Sequence, residues 1–104
     1  MENNKQLPPV YFVLFHTPGN KWIKDIPFQE QPGVKDHVQY MSSFMESKTL
    51  VIGGPFLDNS GGMMVCKAES QEAAEKIANE DPGVKSGLLK VEIKRWLVPM
   101  ATVR

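Results

Sequence analysis

The chain reads as an α+β fold with elements in the order β-α-β-β-α-β, and three observations predict it. First, Val10-Tyr11-Phe12-Val13-Leu14-Phe15 is a continuous β-branched and aromatic run, the composition of a strand buried on both faces. Second, two segments, from about Val34 and after Ser70, repeat apolar residues at helical spacing. Third, the remaining apolar runs are short or alternate with charged residues, as strands do.

Each element follows from local chemistry. Pro8 and Pro9 bound the first strand before, and Thr17-Pro18-Gly19-Asn20 ends it. The stretch from Thr17 to Gly33 (residues 17–33) is long for a connection, and long loops are often functional. It carries Trp22, Ile26 and Phe28, which a purely solvated linker would not. The first helix is expected from Val34 to Ser47, with Pro32 in its first turn. Its apolar stripe is Val34, His37, Val38, Met41, Phe44 and Met45. Thr49 to Gly53 forms a short strand stopped by Gly53-Gly54-Pro55, and Phe56 to Gly62 forms a turn. Met63 to Ala68 completes a hairpin with the preceding strand. Ser70 N-caps the second helix, which carries Ala73, Ala74, Ile77 and Ala78. Asp81-Pro82 ends it, because a residue before proline leaves helical geometry. Leu89, Val91 and Ile93 alternate with Lys90, Glu92 and Lys94, the pattern of a half-buried edge strand.

Right-handed crossovers on this order give a ferredoxin-like antiparallel sheet with both helices on one face. The first strand is apolar on both faces, so the face away from the helices needs cover. A homodimer with open sheet faces packed together is the simplest solution. The alternative is that the long loop folds over that face.

Bulk properties narrow the partners. The 104 residues suffice for one domain, 1–104, with a polar N-terminal tail over residues 1–9. Twelve basic and twelve acidic residues cancel, so nothing favours nucleic acid or an anionic membrane surface. No apolar stretch approaches the ~20 residues that span a bilayer. The single cysteine, Cys66, forms no internal disulfide, and the start lacks a signal-peptide run. The expectation is a cytoplasmic protein whose partner is a small molecule or a second copy of the chain.

His37 is the most informative residue, because a titratable ring falls on a stripe meant for burial. It is either a satisfied core histidine or the centre of a site. His16 closes the first strand on the face of Val10, Phe12 and Leu14, where it can line a pocket or simply end the strand. The two histidines match no recognised metal spacing, so no metal and no cofactor is expected. Gly53-Gly54-Pro55-Phe56 lacks the lysine and hydroxyl residue of a phosphate loop. Its glycines relieve crowding at a bulge or admit a ligand. Phe56 and Trp22 are candidates for apolar walls around a substrate, or else core filler. Asp58 suits a turn, and Cys66 a packed core.

His37-x-x-Tyr40-Met41, Gly53-Gly54-Pro55-Phe56, Gly61-Gly62 and Asp81-Pro82-x-Val84-x-x-Gly87, in that order, resemble the YciI-like (YCII-related) family. The likeness runs from Val10 to Val98, and His16-Thr17-Pro18-Gly19-x-x-Trp22 resembles one branch of it. The resemblance implies a dimeric α+β barrel and an active site built on a histidine and an aspartate, here His37 and Asp81. One relative of the family is a dehydrochlorinase of an aromatic ring, and the wider superfamily includes muconolactone isomerase and cofactor-free monooxygenases. The longer 17–33 loop departs from the shorter members and bears on any transfer of their substrates. A carboxylate bonded to one ring nitrogen would fix the tautomer and leave the other as a base. The expectation is therefore a cofactor-independent acid/base catalyst of isomerisation or elimination on a small, cyclic molecule. His37 and Asp81 would be catalytic, and His16, Trp22, Gly54, Pro55 and Phe56 would contact the substrate. The alternative is a non-catalytic, small-molecule-binding or regulatory dimeric module.

Overall fold

The structure is a computed structural model and describes residues 9–102, so most of the N-terminal tail (1–8) lies outside the described residues. Four strands, β1 (Val10–Pro18), β2 (Leu50–Pro55), β3 (Gly62–Cys66) and β4 (Leu89–Leu97), form one antiparallel sheet in the order β2-β3-β1-β4. Three α-helices interrupt them: α1 (Val34–Ser42), α2 (Gln71–Asn79) and the short α3 (Pro82–Lys85). This is the expected ferredoxin-like arrangement, with β1 central and β4 at an edge.

The pleat explains the layering. Phe12 and Leu14 of β1, with Cys66 of β3, point to the helices and pack under Met41, Ala74 and Ala78. Alanines on α2 let that helix approach the sheet closely, and fully burying a side chain such as Leu14 contributes about 1.5–3 kcal/mol. Tyr11, Val13 and Val65 point to the other face. There Val98, whose N–H donates to the Pro9 carbonyl, packs with them, so the centre of that face is buried within the chain. Its margin stays open at Ile52 and Trp96, 68 % and 46 % exposed.

Several boundaries differ from the sequence expectation, each for a local reason. The first helix stops at Ser42 rather than Ser47, because Ser43 and Ser47 hydroxyls bond back to the carbonyls of Tyr40 and Phe44. The Leu50 N–H takes the Phe44 carbonyl as well. Such hydroxyl–backbone bonds compete with the helix ladder. The helix begins after Gly33, whose φ of 90° suits glycine, so Pro32 lies outside its first turn. Ser70 caps α2 as expected, accepting from the Ala73 N–H at 3.0 Å. Asp81-Pro82 does end that helical run, but Asp81 also starts α3, which periodicity did not foretell because four residues show no period.

The long loop does not cross the far face of the sheet. It turns to the helix side, where a 3-10 turn (Phe28–Glu30) meets the start of α1. Two amides hold it. Gln31, 2 % exposed, accepts from the Ile23 N–H and donates to the Ile23 and Ile26 carbonyls. Asn59, in the β2–β3 turn, accepts from the Phe28 N–H and donates to the Ile26 carbonyl.

Candidate active site

Three elements deliver the site. β1 does not close at His16, as the sequence suggested, because its pairing with β4 continues to Pro18; it carries His16 on the helix-facing side, opposite Gly62 of β3 and Val91 of β4. Its neighbour in the β2–β3 turn, Gly61, must be glycine: φ is 135°, and a β-carbon would overlap the His16 carbonyl. α1 presents His37 one turn in, on the inward stripe. Asp81 sits at the N-cap of α3, where its Oδ1 accepts from the Gly83 N–H at 2.8 Å.

These residues converge, although 44 positions separate the last two. His37 Nδ1 lies 2.6 Å from Asp81 Oδ2, a short, charge-assisted hydrogen bond. His16 Nε2 faces the same oxygen at 3.5 Å, and the two imidazoles meet edge to face with centroids 5.0 Å apart. His16 and His37 are each 2 % exposed and Asp81 is 0 % exposed. Burial pushes the Asp81 carboxyl up. The two facing imidazoles, the attraction to His37 and the Gly83 N–H outweigh it and hold the carboxyl at about 2. Asp81 is therefore a carboxylate at neutral pH. A neutral His37 whose proton sits on Nδ1 donates it to this carboxylate and keeps Nε2 as a lone-pair acceptor; that nitrogen has no hydrogen-bond partner among the described residues.

His16 and His37 form the polar corner of a cavity of about 220 Å³. Its walls are mainly apolar: Val38 and Met41 from α1, Met45 from the turn after it, Leu50 from β2 and Met64 from β3. Gly54 and Pro55 line it too. Trp22 and Phe56 do not. Trp22 packs beside Phe28, their rings tilted by 31° with centroids 6.3 Å apart, in a satellite cluster with Val34, Leu88 and Leu89. Phe56 lines a neighbouring groove with Ile26 and Leu57. The aromatic wall is Phe28 instead, edge-on to His37 with centroids 6.0 Å apart. Its signal in the sequence was only that of an apolar residue in a polar loop. Gly83, which packs against the His37 ring, carried no signal at all.

Other titratable groups are taken. Tyr40 donates to the Ile77 carbonyl, and burial with nearby carboxylates pushes its hydroxyl up to about 12. Burial pushes the Cys66 thiol up to about 11, so it is no nucleophile. His16, His37 and Asp81 place one donor atom each within 4.8 Å of one another, the number a metal could use. The His37–Asp81 spacing of 2.6 Å nevertheless suits a shared proton. Two ligands of a tetrahedral ion with bonds of about 2.0–2.1 Å stand about 3.3 Å apart.

Comparison with known proteins agrees with this architecture. The family model of the YCII-related domain matches residues 11–97. The uncharacterized protein YjpA of Bacillus subtilis (strain 168) is 38% identical over 66 residues, covering 64% of this chain and 78% of YjpA. Among solved structures, 5-chloro-2-hydroxyhydroquinone dehydrochlorinase (TftG) from Burkholderia phenoliruptrix AC1100, in complex with 2,5-dihydroxybenzoquinone, superposes with a TM-score of 0.64. The two are 21% identical, and the match covers 83% of this chain and 92% of TftG. At that identity the likeness is one of fold.

Proposed function

Because the chain belongs to the YCII-related domain family, we propose that it is a cofactor-independent acid/base catalyst of isomerisation or elimination on a small, cyclic molecule. The observation that carries this reading is the 2.6 Å bond between the buried Asp81 and His37, whose ring lines an apolar cavity. His37 Nε2 takes a proton from carbon beside a carbonyl, or from the hydroxyl of the corresponding enol, and the bonding pair becomes that of an enolate. In isomerisation the imidazolium returns the proton to another atom. In elimination a leaving group departs with its electron pair. Asp81 orients the ring and stabilises the imidazolium that forms. A fold shared with a dehydrochlorinase is compatible with the elimination branch.

The test is turnover of cyclic enols, lactones and chlorinated aromatics by wild type and His37→Asn. A positioned base contributes ~10²–10⁴-fold in rate, so the variant should lose that factor. Activity unchanged in the variant would exclude the role.

A binding or regulatory module is the second reading, favoured by a cavity whose polar lining side chains are confined to His16, His37 and Ser42. Thermal stabilisation by a compound that yields no product would support it. We also propose a homodimer through the far sheet face. Ile52 and Trp96 leave apolar surface around its buried centre, and Lys94, over the Phe15 ring at 5.5 Å, adds a cation. Light scattering giving the mass of a single chain at micromolar concentration would refute it.

A further inference from the structure

His16 is the polar group of the site that acid/base chemistry at His37 does not use. Its ring is buried, yet neither Nδ1 nor Nε2 has a hydrogen-bond partner among the described residues. The approach of Nε2 to Asp81, 3.5 Å, is too long for a good bond. Buried polar atoms are nearly always satisfied, and an orphaned imidazole on a cavity wall is waiting for a partner that enters the cavity. His37 lines the same wall, and its Nε2 is a lone-pair acceptor in the tautomer that donates Nδ1–H to Asp81.

We propose that His16 and His37 together hold one hydroxyl of the ligand, so that the site selects an apolar, ring-sized body bearing an enol- or phenol-type hydroxyl. This deepens the acid/base reading and rests on it for the state of His37. Only a group that both donates and accepts satisfies the pair: its O–H donates to His37 Nε2, and its oxygen accepts from the His16 N–H. A ketone or ether oxygen cannot donate to Nε2. A carboxylate or phosphate cannot donate either. It would also meet the Asp81 charge in a cavity lined, among the described residues, by no lysine or arginine. The volume of about 220 Å³ is below the usual range for ligand sites, about 300–1,000 Å³, which suits a single ring.

Three probes separate the possibilities: 4-nitrophenol, its methyl ether 4-nitroanisole, and 4-nitrobenzoate. Each is titrated by equilibrium dialysis into wild type, His16→Leu and His16→Asn at one pH, set below the pKa of 4-nitrophenol so that its O–H is intact while the benzoate stays ionised. Wild type should prefer the phenol over the ether by about tenfold or more, the scale of one or two buried hydrogen bonds, and should reject the benzoate. His16→Leu should lose the preference while still binding the ether, and His16→Asn, which can donate, should keep part of it. Equal affinity for phenol and ether, a preference that survives His16→Leu, or no binding of the phenol overturns the proposal. So does a Zn²⁺ or Co²⁺ site that depends on His16. If His16→Leu fails to fold, the ring-nitrogen NMR shifts of His16 in wild type decide: they must move on adding 4-nitrophenol. No reaction occurs in this assay. His37→Asn with unaltered turnover would therefore sink the catalytic reading while the phenol preference stands, and loss of the preference alone would sink only this one.

Discussion

Gly83 lies flat against His37: a β-carbon built on the glycine would stand 2.9 Å from His37 Cβ and 3.2 Å from Nδ1. The glycine has no left-handed torsion to justify it, so close approach is its reason. The same residue donates its N–H to Asp81 Oδ1. One position thus sets both the seat of the imidazole and the aim of the carboxylate.

Gly83→Ala should therefore be harmful although alanine favours helices. The contact is to the root of the His37 side chain, so α1 and α3 must separate rather than a flexible tip swing away. A loss of ~1–3 kcal/mol is expected, the usual cost of overpacking. Urea unfolding measures it, and a variant as stable as wild type would show that the helices part freely.

Asp81 should make the protein acid-sensitive in a defined window. Its folded-state carboxyl is held at about 2, below the ordinary 3.8. Stability from this shift is fully present above pH 3.8 and is lost as pH falls through 2. The pH-linked part is on the order of 2 kcal/mol. The stability gap between wild type and Asp81→Asn should be wide at pH 6 and narrow toward pH 2. A gap independent of pH would contradict the ionised pair.

The loop should come loose when its amide clamps are removed. Gln31→Ala leaves the Ile23 N–H and two carbonyls without their partner, and Asn59→Ala does the same for the Phe28 N–H. Each change is expected to cost ~1–3 kcal/mol of local stability. Amide exchange at Ile23 and Phe28 should speed up while Leu14, in the sheet centre, stays protected.

Phe28 lines both the inner cavity and the neighbouring groove, together with Pro55. Phe28→Ala should merge them and admit bulkier ligands. In a series of ring compounds of rising size, the largest accepted should grow relative to wild type. An unchanged size limit would show that Phe28 is not the dividing wall.

Much of this was legible in the residues themselves. The apolar run of β1 announced a central strand, and Ser70 announced the start of α2. His37 on an apolar stripe pointed to the site, and alternation along β1 placed His16 on the same side of the sheet. The weaker signals failed where competing local bonds decide. Ser43 and Ser47 unwound the end of the first helix, and Asp81 began a helix too short to show a period. Trp22 and Phe28 carried the same loop signal, yet one packs in a satellite cluster and the other walls the cavity.

The amino-acid order determined the strands, the helices, their layering and the candidates for chemistry, because periodicity and caps act over a few residues. Tertiary structure alone decided that His16 and His37 converge on one Asp81 oxygen, which bonds His37 and only faces His16, that Phe28 rather than Trp22 faces them, and that Gly83 seats the ring. Those contacts join distant positions through the packing of helices on a sheet, where a few tenths of an ångström separate a hydrogen bond from a gap.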